Sequence, residues 1–220
     1  MATKAERKSP GIFEILLGIS LSISLGVLLA LVHMIMRPVE VVRTLPKEIV
    51  KGTRYYVEGP DASVSGTRWK TKLKRIGEKN PGEIAFSDSD LNAWAANTFK
   101  KVEPEKGEAH SFAILAGVPN FRVEGDQLQV GTVNDLIFLG GTSKLVIEAK
   151  GAFTKSANGW DFSPTEVYFG GLPTHKFPLL TSMLMAKFGA VGMNTPEATK
   201  VLTSATSINV SGGSVVVKLP

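Results

Sequence analysis

The hydrophobic pattern of the chain begins with one long apolar run near the N-terminus. Eighteen consecutive uncharged residues extend from Ile15 to Val32, and the apolar character continues to Met36. At ~1.5 Å per residue, a helix over this run covers about 30 Å, which matches the hydrocarbon core of a bilayer. The pattern predicts a transmembrane helix over residues 12–36, preceded by a short basic tail over residues 1–11.

A cleaved signal peptide is the alternative interpretation of this segment. The basic residues Lys4, Arg7 and Lys8 suit either interpretation. The apolar run, however, is longer than the usual ~7–15 residues of a signal peptide, and the end of the run at His33–Pro38 offers no small-x-small cleavage site. We therefore expect an uncleaved single-pass anchor.

Small residues recur at every fourth position of the predicted helix and share one of its faces. They are Gly18, Ser22, Gly26 and Ala30. This spacing lets two helix backbones approach closely in lipid, either in a homodimer or with the helix of another membrane protein. Small residues are also common in membrane helices generally, so a passive anchor is compatible with the same pattern.

The orientation in the membrane depends on two opposing signals. The basic residues Arg37, Arg43, Lys47, Lys51 and Arg54 follow the helix closely, and counting them favours a cytoplasmic domain. A short basic N-terminus followed directly by an apolar helix is instead typical of an uncleaved export signal, and long domains translocate largely regardless of charge. We expect a cytoplasmic N-terminus and a periplasmic or extracellular domain.

The remainder divides into an extended stalk over residues 37–54 and a single globular domain over residues 55–220. Residues 55–57 predict a short strand, and a helix is predicted from Trp69 to Ile76, ended by Gly77 and capped by Ser63 or Ser65. This helix carries the densest basic cluster of the chain. Its residues Arg68, Lys72 and Arg75 either contact anionic lipid headgroups or form a solvated helix face.

A second helix is predicted to start after a strand at Glu83–Phe86. Ser87 and Asp90 have the spacing of a capping box, and acids in a first turn suit the helix dipole. Asp88 and Asp90 could also be read as a carboxylate pair for catalysis or for a metal. Capping accounts for both residues without such chemistry.

From His110 onward the pattern changes to strands that are rich in Val, Ile, Phe and Thr. The predicted strands are His110–Val118, Phe121–Val123, Gln127–Leu139, Ser143–Lys155 and Trp160–Phe169. The turns Gly125-Asp126, Gly140-Gly141 and Asn158-Gly159 are typical of hairpins. The pattern predicts an α+β fold in which an antiparallel meander is covered by a few helices.

The C-terminal part adds two helices and a hairpin. An apolar, Met-rich helix is predicted from Pro178 to Ala190, where Leu180, Met183, Leu184 and Phe188 either cover the core or wall a pocket for an acyl chain. A further helix is predicted to begin at Thr195-Pro196 and to end near Ala205. Ser207–Val210 and Ser214–Leu219 are predicted to form a hairpin that closes the sheet.

Composition and motifs narrow the function classes. A net charge of +5 is too small for a dedicated nucleic-acid binder, and the absence of cysteine excludes disulfides and thiolate metal sites. His33, His110 and His175 have no second ligand at metal spacing, and neither a Gly-x-Ser-x-Gly elbow nor a phosphate-binding glycine loop occurs. We expect no catalytic site, no metal and no cofactor.

Three short motifs and their order support a resemblance to a known family. They are Asp90-Leu91-Asn92, Asn120-Phe121-Arg122-Val123 and Gly170-Gly171-Leu172-Pro173. With the N-terminal anchor, they resemble the YpmS-like family of single-pass bacterial envelope proteins over about residues 85–220. The resemblance implies a non-enzymatic, extracytoplasmic, β-rich domain with a role in lipid binding or envelope assembly. It supplies no site residues, and the basic helix over residues 62–77 has no counterpart in that pattern.

Two functions remain open from the sequence. A module that binds lipid or another apolar ligand predicts a cavity between the sheet and the helix at Pro178–Ala190. A non-catalytic scaffold or assembly subunit predicts a filled core there, with its contacts on the membrane helix or on a sheet edge. Both need apolar residues at the same positions, so the pattern favours neither strongly.

Overall fold

The computed structural model describes residues 11–62, 66–78, 81–103, 111–157, 159–184 and 195–220, apart from the side chain of Leu184. Its first element is helix α1, Ile12–Ile35, which is long and apolar enough to cross a membrane. No residue of α1 is buried, and only Leu31, Met34 and Ile35 in its last turns are partly covered. The predicted apolar helix is confirmed, whereas its orientation stays a prediction.

Four further α-helices and eleven strands follow in the part of the chain that the structure describes. The helices are α2 (Arg68–Gly77), α3 (Asp88–Thr98), α4 (Pro178–Leu184) and α5 (Pro196–Ser204). The strands are β1 (Val39–Val42), β2 (Arg54–Val57), β3 (Gly82–Ser87), β4 (Phe112–Leu115), β5 (Pro119–Glu124), β6 (Gln127–Phe138), β7 (Gly141–Ser156), β8 (Gly159–Phe169), β9 (Leu172–Pro173), β10 (Ser207–Ser211) and β11 (Ser214–Leu219).

The strands form three sheets. The largest is an antiparallel meander of β6, β7, β8 and β9, with β4 and β5 sharing the free edge of β6. A second, antiparallel sheet has the order β10-β11-β3, and β1 pairs with β2 in a small parallel sheet. The predicted α+β class with a β-meander is confirmed.

The hydrophobic core lies where α2, α3 and α5 pack against the β10-β11-β3 sheet and one end of the meander. Ile84 and Phe86 of β3, together with Val215 and Val217 of β11, alternate toward this core with a period of two. The terminal hairpin is therefore where it was predicted in sequence but pairs with β3, and the prediction that it closes the meander is wrong. A pairing between segments so distant along the chain leaves no signal in local periodicity.

Local signals defined most of the element boundaries. Ser87 accepts a hydrogen bond from the Asp90 amide and Asp90 accepts one from the Ser87 amide, so the predicted capping box is confirmed. The Thr195 hydroxyl caps α5 by accepting a hydrogen bond from the Ala198 amide. The cap of α2 was predicted wrongly: Ser63 and Ser65 lie outside the described residues, and the helix starts after Thr67, whose side chain accepts no capping hydrogen bond.

The end of α1 rests directly on the meander. A Cβ atom at Gly170 would lie 2.0 Å from the Ile35 carbonyl oxygen, so only glycine permits this approach between helix and turn. Four residues after α1, strand β1 begins and pairs with β2. Part of the segment that was predicted as an extended stalk is therefore hydrogen-bonded to the domain.

Candidate functional site: an apolar cavity under three helices

An apolar cavity of about 100 Å³, open on one side, lies between the helices and the two antiparallel sheets. Trp69 and Leu73 of α2, Leu91 and Trp94 of α3, and Val201 and Leu202 of α5 form its helical wall. Its floor combines side chains of the β10-β11-β3 sheet with three from the larger sheet, Phe121, Leu128 and Phe153.

The cavity lining is almost entirely apolar. Among the described residues that line the cavity, the one charged residue is Glu197, which is exposed in the first turn of α5. The buried indole nitrogens of Trp69 and Trp94 have no hydrogen-bond partner among the residues that the structure describes. Buried polar groups are usually bonded, and an unpaired one costs about 1–3 kcal/mol. Because the rest of the lining is apolar, it suits a hydrocarbon group.

A buried ion pair holds the helical wall in place. The Asp90 carboxylate is 1% exposed and accepts hydrogen bonds from the Ser87 amide and hydroxyl, at 3.2 and 3.0 Å. The Lys72 ammonium forms an ion pair with the same carboxylate and also donates to the Ala85 carbonyl. Because α2, α3 and β3 meet at this pair, it sets the separation of the two helices that line the cavity.

An amide side chain ties α3 to the meander. Asn92 accepts a hydrogen bond from the Phe121 amide at 2.7 Å and donates to the Phe121 carbonyl at 2.8 Å, as a neighbouring strand would do. It also donates to the Pro60 carbonyl at 2.9 Å. The two bonds to the Phe121 backbone hold this residue in the cavity floor, where the centroids of the Phe121 and Trp94 rings are 5.9 Å apart.

A second charged cluster lies away from the cavity, next to the end of α1. The Arg54 guanidinium pairs with Glu148, donates to the Gly170 carbonyl at 2.7 Å and covers the Tyr168 ring at 3.8 Å. Burial lowers the pKa of Arg54 to about 10, so the group stays cationic at neutral pH. These three contacts lie within the domain, and they connect β2 to the turn at Gly170, on which the end of α1 rests.

Two of the residues predicted to wall a ligand pocket, Leu180 and Met183, are not among the described residues that line this cavity. Leu180 is partly buried and Met183 is 62% exposed, while Phe188 and the side chain of Leu184 lie outside the described residues. Helix α4 follows β9 and packs beside the turn at Thr174–Lys176, whereas α2, α3 and α5 cover the cavity. The described residues of the predicted wall, Leu180 and Met183, thus lie apart from the cavity, and the roles expected of Leu184 and Phe188 stay predictions.

The remaining predicted site residues are spread over two helices. Gly18, Ser22, Gly26 and Ala30 are all exposed on α1. Arg68 and Arg75 are exposed on α2, but Lys72 is bonded to Asp90 and is not a free cation for headgroups. The reason is positional, since Lys72 lies on the side of α2 that faces β3 and α3.

The cavity residues were missed because they are contributed by six separate segments. Trp69 and Trp94 were visible as large aromatic residues on predicted helices, and this was the one local signal available. In the described part of the chain, no cluster of His, Asp and Glu could hold a metal ion. No protein family matches the chain, and no curated protein or solved structure is significantly similar to it.

Proposed function

We propose that this protein is a single-pass, membrane-anchored domain on the extracytoplasmic side that binds an apolar group in the cavity under α2, α3 and α5. The observation that carries the proposal is the carbon-lined cavity itself. The resemblance to YpmS-like envelope proteins agrees with this function and stays a prediction.

The size of the cavity limits what it takes up. An engineered apolar cavity of about 150 Å³ stays dry and binds benzene, so a cavity of about 100 Å³ suits a small ring or the end of an acyl or prenyl chain. The rest of such a chain would leave through the open side, past Glu197. A membrane lipid or another long apolar molecule is therefore the ligand class that we propose.

Native mass spectrometry of the gently solubilised full-length protein tests this proposal. We expect a retained apolar ligand, and we expect Val201→Phe to reduce its occupancy several-fold because the larger side chain fills the cavity. Val216→Phe is the matched control, because Val216 points to the other face of β11 between the inward-facing Val215 and Val217.

Thermal unfolding of both variants shows whether each one folds. A ligand that is retained equally by the parent, by folded Val201→Phe and by Val216→Phe would contradict binding in this cavity. A parent protein without any retained ligand, including after incubation with phospholipid, would contradict the apolar-binding function.

The second candidate is a scaffold or assembly subunit that packs through its membrane helix. It is supported by the exposed small-residue face of α1, since no described residue outside the helix lies within 4 Å of a Cβ atom placed at Gly18 or Gly26. A stoichiometric protein partner without a retained lipid in the same measurement would favour this function.

A further inference from the structure

The tip of the β6–β7 hairpin exposes large apolar side chains. Leu139 is 77% exposed, Phe138 is 48% exposed, and Phe112, which pairs with Phe138 across the strands, is 62% exposed. Three exposed apolar side chains therefore lie at one tip, as is typical of a site that meets a partner or a membrane. Tight hairpin turns otherwise favour Asn, Asp and Gly.

The backbone of this turn is unfavourable for the residue that it carries. Leu139 has a φ of 48° and Gly140 has a φ of 81°, so both central residues of the turn are left-handed. Leu139 is the one non-glycine residue with a positive φ in the part of the chain that the structure describes. This conformation is unfavourable for an L-residue because its Cβ atom comes too close to the following carbonyl oxygen. Because the Leu139 side chain is exposed, its packing within the fold does not offset this strain, which points to a contact outside the domain.

The tip lies at the end of the meander where α1 meets the domain. The Gly170 amide donates to the Val146 carbonyl at 2.8 Å, and Gly170 touches the end of α1 at Ile35. From Val146, β7 extends about 17 Å to Gly141 at the tip but about 33 Å to Ser156 at its other end. Because β8 stops at Phe169, the hairpin projects past the point where α1 joins the domain.

Charged residues follow directly behind the apolar tip. Asp135 forms ion pairs with Lys101 and Lys144, and the side chains of both lysines are partly exposed. Lysine stems can lie along an apolar surface while their ammonium groups stay in water. This order of groups, apolar at the tip and ionic behind it, matches the change from acyl chains to headgroups in a bilayer.

We propose that Phe112, Phe138 and Leu139 insert into the interface of the lipid bilayer that α1 spans, so that the domain is held on the membrane at two points. The proposal rests on the anchoring part of the proposed function and is independent of the cavity. We choose lipid as the occupant because the tip projects past the point where α1 joins the domain. Binding of a protein partner at the tip is an alternative outcome of the test.

Because the sequence contains no cysteine, a single introduced cysteine can be labelled specifically. The full-length variant Leu139→Cys is labelled with the polarity-sensitive fluorophore NBD and reconstituted into vesicles of phosphatidylethanolamine and phosphatidylglycerol. We expect blue-shifted emission and several-fold slower quenching by an aqueous quencher than for Asp126→Cys, in the turn before β6 at the other end of the meander. Equal quenching of the two labels would overturn the proposal, including where the tip instead binds a protein.

Extraction with alkaline carbonate separates this failure from a failure of the anchor. Protein that is removed from the vesicles would overturn the anchor and the tip contact together. Protein that resists extraction but carries a freely quenched label at position 139 would overturn the tip contact alone.

A second variant distinguishes a membrane contact from a role in folding. Leu139→Asn places a residue that tolerates positive φ at the turn, so the thermal midpoint should stay unchanged or rise. The same change should speed the quenching of a label at Phe112→Cys several-fold. A clear loss of stability, or unchanged quenching, would contradict insertion of Leu139.

Discussion

At the scale of single residues, Asp135 illustrates how two neighbours set the chemistry of a carboxylate. The Lys101 ammonium lies 2.8 Å from its Oδ2 atom, and Lys144 pairs with its Oδ1 atom. Hydrogen bonds from Lys101 and then from Lys144 lower the pKa of Asp135, and they outweigh the opposing effect of burial. The same contact raises the pKa of Lys101.

This lowered pKa gives a prediction for acid stability. Because the pKa of Asp135 is lower in the folded than in the unfolded chain, its carboxylate stabilises the fold above the unfolded value of ~3.9 and loses that effect as pH falls through the folded value. We expect Asp135→Asn to lower the thermal midpoint by a few degrees at pH 7, a small effect because the lysines are solvated. Thermal unfolding from neutral pH to strong acid should show the difference from the parent vanish.

The control for this prediction is Asp126→Asn, which removes a carboxylate from the turn between β5 and β6, away from the lysine pair. It should leave the midpoint nearly unchanged at neutral pH. A deficit in Asp135→Asn that persists undiminished in strong acid would show that the substitution acts through packing and not through the ion pairs.

At the scale of elements, α1 presents a face of small residues on which no described residue packs. The Ser22 hydroxyl donates to the Gly18 carbonyl at 2.8 Å, so this polar group is already bonded within the helix. A Cβ atom at Gly26 would meet no described residue within 4 Å. A partner helix could therefore pack here without any change in α1 itself.

We predict that Gly26→Ile leaves the protein in the membrane but lowers its cross-linking to itself or to a partner helix. Helices in lipid associate largely through close van der Waals contact, and a branched side chain at the centre of the face would separate the backbones. Cross-linking in native membranes measures the effect, and Leu25→Ile, outside the small-residue face, is the control. If both variants cross-link as the parent does, the helix is a passive anchor.

At the scale of the whole molecule, the end of the meander that contacts α1 is separated from the cavity along β7. Phe153 in the cavity floor is seven residues along β7 from Val146, which is a distance of about 23 Å. A lipid chain that reaches the cavity would therefore leave the bilayer that α1 is proposed to span. The geometry suits a domain that holds an apolar group at a distance from its own anchor.

The orientation of the molecule is testable with fusions. We expect a reporter that is active only outside the cytoplasm to function when it is fused after Pro220, because long domains translocate largely regardless of flanking charge. Protease added to intact spheroplasts should also remove the domain. Protection of residues 40–220 in that assay would reverse the predicted orientation.

Local patterns were sufficient for much of this architecture. The uncharged run of α1, the capping box of Ser87 and Asp90, and the hairpin signals of the meander each depend on residues close together in sequence. Helix length, caps and turns are decided by backbone hydrogen bonding over a few residues, so their signals remain readable in a single chain.

Contacts between distant segments were decided only by tertiary structure. The pairing of β11 with β3, the bond between Lys72 and Asp90, and the cavity under α2, α3 and α5 join residues that no local pattern relates. In sequence, the apolar residues of α4 suggested a pocket wall, whereas in the structure residues of α2, α3 and α5 line the cavity. Only the packing of the helices on the sheets determined which of them enclose a void, because burial depends on the position of every neighbouring element.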